Sequence, residues 1–206
     1  MAWLFEFSPP EAATKGEVQD LIEPFREELT ACILRGYADW FSFMAEEGRR
    51  RTKSCSMSMC VNNLIEERVK EVLGDKEGIV PCQRDSFFKL YVRDKIILRF
   101  KKLTDDYLVM PPRTDQGRDW FCNQPIDGIP NNLTRVTAGW RIMPHHQEII
   151  DVAITFQLST KTLGWQFSIL KEADIRKVYL EYSDDVQELF PIPLKLKPGA
   201  EKRKSV

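Results

Sequence analysis

The sequence predicts an α+β fold: an antiparallel sheet of about five strands with an N-terminal helical hairpin packed on one of its faces. Three observations carry that expectation. Apolar residues recur at i, i+3 and i+4 between residues 17 and 44, a second such run occupies residues 57 to 73, and three segments between residues 135 and 169 alternate apolar with polar.

The first run places Val18, Leu21, Ile22, Phe25, Leu29, Cys32, Ile33, Tyr37, Trp40, Phe41 and Met44 on one helical face. Pro24 lies inside it, so either a short helix ends near Glu23 or Pro24 occupies the first turn of the main helix, where its missing N–H costs least. The outer face is acidic, with Glu17, Asp20, Glu23, Glu27, Glu28, Asp39, Glu46 and Glu47 against Arg26 and Arg35. The stretch GRRRTKS from Gly48 breaks the helix and reverses the charge. A second amphipathic run, through Met57, Val61, Leu64, Ile65, Val69, Val72 and Leu73, then stops at Gly74. These helices form the expected hairpin.

DKEGIVP follows as a loop, and FFKLYVRDKIILRFKKL from Phe87 predicts two strands turned about Arg93-Asp94. Alternation across that turn puts Phe88, Leu90, Ile97, Arg99 and Lys101 on one face, and Phe87, Lys89, Tyr91, Ile96, Leu98, Phe100 and Lys102 on the other. Residues 104–133, with Pro111, Pro112, Pro125 and Pro130, make a connector holding one short helix around Thr114 to Asn123.

Val136, Ala138, Trp140 and Ile142, then Ile150, Val152, Ile154 and Phe156, then Leu163, Trp165, Phe167 and Ile169 mark the apolar face of a three-stranded meander. Only registers that keep these faces together survive. The expected partners are Trp140 with Val152, Arg141 with Asp151, Thr137 with Thr155 and Phe156 with Trp165. ADIRKVYLEY fits helix and strand equally. One domain over residues 1–190 and a basic, disordered tail over residues 191–206 complete the expected organisation.

Thirty basic and 31 acidic residues leave a net charge of −1, so any electrostatic function must come from local patches. The absence of a leader-like N-terminus and of a long apolar run predicts a soluble, cytoplasmic protein with no membrane partner. Five cysteines at irregular spacing suit reduced thiols. No metal and no cofactor is predicted, because the two histidines, His145 and His146, are adjacent and no paired Cys or His spacing appears. Nucleophile elbows, phosphate loops and zinc-peptidase motifs are missing too. A metal-dependent nuclease would have to assemble Glu66, Glu67, Asp85 or Asp94 with Lys101.

Two decorated surfaces remain. On the meander, Gly139 and Ala153 leave the polar face low while Arg135, Arg141, Thr137, Thr155, Gln157 and Gln166 ring it with polar groups, an arrangement suited to a ligand or to a plain wet face. On the hairpin, Lys89, Arg99, Lys101 and Lys102 have three outcomes: internal pairing with the acidic first helix, a phosphate-binding ridge shared with Arg49, Arg50, Arg51 and Lys53, or a protein-docking edge.

FFKLYVRDKIILRFKKL, the Arg51-Thr52-Lys53 ahead of the second helix, QPIDGIP and TRVTAGWRI resemble an uncharacterised bacterial and phage family. Its members have a hairpin ending in R-F-K-K-L, a proline-containing loop and T-x-x-x-G-[YW], and are similar to proteins encoded beside zinc-peptidase regulators of mobile elements and phage-response loci. The resemblance spans residues 50–170. It implies a bacterial or phage cytosolic setting and brings no catalytic residue with it. The expected function is therefore a non-enzymatic interaction or regulatory protein of a bacterial or phage defence or mobile-element locus, binding a macromolecular partner, a protein before a nucleic acid, through the basic hairpin and the polar sheet face. A metal-dependent nuclease or toxin and a nucleic-acid-binding protein are the alternatives.

Overall fold

Thr14 starts the first helix with a capping box: its side chain accepts from the Glu17 amide while the Glu17 carboxylate accepts from the Thr14 amide at 2.7 Å. The computed structural model describes residues 12–44, 46–84, 87–110, 114–143 and 148–178; the basic tail, His145, His146 and Asp85 lie outside them. Helix α1 (Lys15–Ile22) tightens into a 3₁₀ turn (Glu23–Phe25) at Pro24, and α2 (Arg26–Phe43) resumes the same apolar stripe. A short α3 (Glu46–Arg51) leads into α4 (Ser54–Leu73). α2 and α4 form the expected hairpin. They approach closely because position 36 is glycine: a Cβ there would lie 2.6 Å from Ile65 Cγ1 and 2.9 Å from the Ile65 backbone nitrogen.

The sheet has six strands in sequential order: β1 (Ile79–Arg84), β2 (Phe87–Val92), β3 (Ile96–Lys102), β4 (Thr134–Met143), β5 (Glu148–Gln157) and β6 (Leu163–Ser168). The additional strand is β1, part of which lies in the expected DKEGIVP loop. It is an edge strand, where Pro81 can be accommodated.

All neighbours are antiparallel except β3 and β4, which run parallel. A parallel pair requires a crossover. Residues 103–133 supply it, carrying α5 (Asp115–Phe121) with Thr114 as its cap.

Each sheet face therefore has its own core. Phe88, Leu90, Leu98, Phe100, Val136, Trp140, Val152 and Ile154 pack with the helical hairpin. Ile97, Leu103, Val109, Trp120, Phe121, Ile126, Ile129, Leu133 and Ala153 form a second core with the crossover. The sheet face expected to be polar and open is covered.

The meander register matches expectation at Trp140↔Val152, Arg141↔Asp151, Thr137↔Thr155 and Phe156↔Trp165. A bulge then pairs Ile142 with Ile149, so Ile149 packs on the core and Ile150, expected there, turns outward at 40% exposure.

The opening hairpin also departs from expectation. Val92 pairs with Ile96 around three residues, with Arg93 and Asp94 both at φ 49. One additional turn residue reverses the faces of one strand relative to the other. Phe88, Leu90, Ile96, Leu98 and Phe100 thus share the helix side, while Tyr91 and Ile97 pack with the crossover core.

The ambiguous segment after Lys171 is helical over residues 172–178. Arg26 anchors it, donating to Asp174 at 2.7 Å and to the Ile169 carbonyl at 2.8 Å.

Candidate functional site: a cationic split between strands

The polar sheet residues hold the crossover in place. Arg135 is only 5% exposed and donates to the Asp119 and Gln124 carbonyls at 3.1 and 2.6 Å, which ties down the end of α5. Burial lowers its pKa, with the field of Asp119 acting against the shift. Asp151 accepts from the Tyr107 hydroxyl at 2.7 Å and from Ser168 at 2.6 Å. The Gln157 side-chain oxygen accepts from the Val109 amide at 3.1 Å. Arg141 lies over the Tyr107 ring, 4.5 Å from its centroid, and faces Asp105 at 3.4 Å. Buried polar groups need such partners, and here the crossover backbone and side chains provide many of them. The expectation of an open binding face through Arg135 and Arg141 is corrected accordingly.

Two arginines of the basic loop are engaged locally. Arg49 donates to the Phe41 carbonyl at 2.8 Å and to that of Met44, with its guanidinium 3.8 Å from the Phe41 ring centroid, so it closes the end of α2. Arg51 pairs with Glu47 on an exposed turn, and the Arg50 side chain lies outside the described residues.

The acidic first helices find other partners. Arg68 makes a two-pronged contact with Asp39 at 2.6 and 2.9 Å, Lys76 meets Glu28 at 2.6 Å, and Lys177 meets Glu27 at 2.7 Å. Hairpin cations are not in these pairs.

What surrounds the hairpin cations follows from pairing. β2 bonds with β3 only from Leu90↔Leu98 to Val92↔Ile96, yet β2 stays paired with β1 to Phe87 and β3 with β4 to Lys102. Among the described residues the β2–β3 ladder is not continued beyond Leu98. On the helix side the Phe88 and Phe100 rings stack across the split at 6.0 Å. Lys102 reaches Ser54 Oγ at the start of α4, at 3.1 Å. Burial lowers the Lys102 pKa. Lys89, 3% exposed, belongs to the buried interior.

Arg99 and Lys101 alternate with Leu98, Phe100 and Lys102, so they leave β3 on the crossover face. The Arg99 guanidinium stands 5.1 Å from the centroid of Trp120 in α5. Both cations are half-buried, and loss of water pushes Arg99 down to about 10 and Lys101 down to about 8, the latter with help from the Arg99 charge.

Among the described residues one carboxylate acts on both. Glu66, half-buried on α4, is raised by desolvation, while Lys101, Lys70 and Arg99 act in the opposite direction. No hydrogen bond or ion pair joins Lys101 or Glu66 to a partner among the described residues. Lys70 is held aside, donating to Gln83 at 2.7 Å with its ammonium 5.1 Å from the Phe88 centroid.

Of the carboxylates considered for a nuclease, Glu66 does come near Lys101. Asp94 is in the turn at the opposite end of β3, and Asp85 lies outside the described residues. Among the described residues no group of three His, Cys, Asp or Glu is placed to hold a metal ion. Sequence reasoning missed Trp120 as the support of Arg99 and had no reason to aim Glu66 at β3. The available signal was the four-residue spacing of Asn62, Glu66 and Lys70, a polar row bordering the buried stripe of α4.

Fold and site together define an α+β protein with a half-buried cationic split in its sheet. Compared with protein-family models, curated proteins and solved structures, the chain matches none. The roles assigned to its residues therefore rest on geometry. Among the described residues no helix is long and apolar enough to cross a membrane.

Proposed function

We propose that this is a non-enzymatic interaction protein that docks a protein partner through an anionic group received at the β2–β3 split. The observation that supports the reading is the pair Arg99 and Lys101, removed from bulk water with Glu66 as the carboxylate whose field reaches both. Desolvating cations is costly unless negative charge compensates them. A partner's anion at the end of β3 would add to the negative charge that Glu66 supplies.

The fold sets limits on that partner's path. Arg135 and Arg141 serve the crossover, so contact centres on Arg99 and Lys101, with Lys102 at the other face of the same strand. The test is capture of partners by the full chain compared with an Arg99→Ala, Lys101→Met double variant of unchanged circular dichroism. Loss of a wild-type partner in the variant is expected. An unchanged set of captured proteins would sink the reading, as would hydrolysis of nucleic acid by the purified chain that disappears in Glu66→Gln.

A further inference from the structure

We infer that β6 is a self-pairing edge, to which a second copy of this chain adds its own β6 antiparallel about a two-fold axis, joining two six-stranded sheets into one. The inference is independent of the docking role proposed above, because it uses the far edge of the sheet and none of the hairpin cations.

Ladder geometry shows which backbone groups point outward. The Ile169 amide donates to the Val152 carbonyl at 2.8 Å, one step beyond the Ala153↔Ser168 partners. In an antiparallel ladder, hydrogen-bonded and non-bonded partners alternate. Ser168 and Gln166 are therefore non-bonded positions toward β5, and their N–H and C=O groups face the open side of β6. Among the described residues no strand lies beyond it. Before Trp165 the ladder is irregular: Phe156 pairs with Trp165 and Gln157 with Leu163, which leaves Gly164 as the additional residue of a bulge.

A two-fold axis normal to the sheet keeps each face on its own side, so only side chains of one face meet across it. Centring the axis on Gln166 sets Ser168 against Gly164 in the bulge. Centring it on Ser168 sets Gln166 against Leu170, whose amide already donates to the Ser168 hydroxyl at 3.3 Å. Centring it on Phe167 sets Gln166 against Ser168 of the second copy in both directions. Each of those pairs then exchanges both its N–H···O bonds between groups that already point outward.

The side chains brought together suit an identical strand. From Thr162 to Leu170 the chain has no charged residue and no proline, so two copies meet without like-charge repulsion. On the helix side Phe167 meets its own counterpart. Trp165, half-buried with its ring centroid 6.0 Å from that of Phe167, meets Ile169. On the other side Gln166 meets Ser168, so apolar falls on apolar and polar on polar. The opposite edge is guarded: β1 contains Pro81 and Arg84, and its Gln83 accepts from Lys70 at 2.7 Å.

The experiment is sedimentation velocity of the full chain over a range of micromolar concentrations, with amide exchange measured in parallel. A monomer–dimer equilibrium is expected, with exchange at Gln166 and Ser168 slowing as concentration rises. Gln166→Pro removes an outward N–H while leaving the bonds to β5 in place, and should weaken association about tenfold or more. Gln166→Lys and Gln166→Glu place like charges diagonally across the axis. Each should associate more weakly than wild type, and an equimolar mixture of the two should recover the dimer. That mixture keeps the inference testable where the proline variant misfolds. A chain that stays monomeric throughout, a dimer that Gln166→Pro leaves unchanged, or like-charged variants that associate as wild type does would overturn it. Full protection of both amides in the monomer would give the edge to another segment of the chain and overturn it as well.

Discussion

Leu103 sits directly over Gly139: a Cβ at position 139 would lie 2.4 Å from Leu103 Cγ and 2.7 Å from the Lys101 carbonyl oxygen. The crossover can rest on the sheet here because there is no side chain beneath it. One neighbour is backbone, so relaxation is limited. Gly139→Ala is expected to destabilise the fold by about 1–3 kcal/mol through overpacking. A urea midpoint unchanged from wild type would show that the crossover lifts freely.

Lys101 should oppose stability. Its folded pKa of about 8 lies below the ordinary 10.5, so the unfolded chain binds the proton more tightly. The cost is fully present below about pH 8 and is relieved as pH climbs toward 10.5. Lys101→Met is therefore expected to be more stable than wild type at pH 7, with the advantage shrinking by pH 10. Urea titrations at the two pH values check this; a variant less stable at pH 7 would mean that the attraction to Glu66 outweighs desolvation.

Asp174 secures the last described helix to α2. It is 5% exposed and accepts from both Arg26 and the Lys171 amide. Removing it leaves a guanidinium whose side chain is 11% exposed with the Ile169 carbonyl at 2.8 Å and the distant Glu23 carboxylate at 3.9 Å. Asp174→Ala is expected to cost about 3 kcal/mol or more. Hydrogen exchange should show the loss first over residues 169–178, and protection there equal to wild type would count against the anchor.

Arg135 should behave as a structural residue. Arg135→Met removes both bonds to the end of α5 while keeping much of the apolar stem, at a cost of about 2 kcal/mol or more. Amide exchange over residues 115–124 should accelerate while α2 and α4 stay protected. Loss of partner capture with unchanged exchange would instead place Arg135 in the binding surface.

Cys32 should react differently from Cys55 and Cys60. Burial pushes Cys32 up to about 11, whereas Cys55 and Cys60 are exposed on α4. At pH 8 a thiol reagent should modify the exposed pair rapidly and reach Cys32 only on unfolding. Fast labelling of Cys32 in the native protein would show that the core opens between α2 and α4.

Local pattern was enough for much of this architecture. The 3.6-residue stripes of α2 and α4 and the two-residue alternation of β4 to β6 specify which face is buried, and a buried face permits few registers. That is why Trp140↔Val152 and Phe156↔Trp165 were legible from residue types alone. The turn at Arg93 was legible too, but its length was not. With both Arg93 and Asp94 at positive φ and Lys95 completing the turn, one additional residue decided which face each hairpin side chain takes.

Tertiary structure decided the functional surfaces, because charge pairing and burial depend on elements far apart in the chain. The parallel joining of β3 to β4 sent residues 103–133 across the sheet and converted Arg135, Asp151 and Gln157 from an expected open face into anchors. The same joining, with β2 and β3 paired at only one end, opened the split at Arg99 and Lys101. Sequence periodicity reports the face on which a side chain lies. Which distant segment covers that face, and which carboxylate reaches it, is set only when the chain closes.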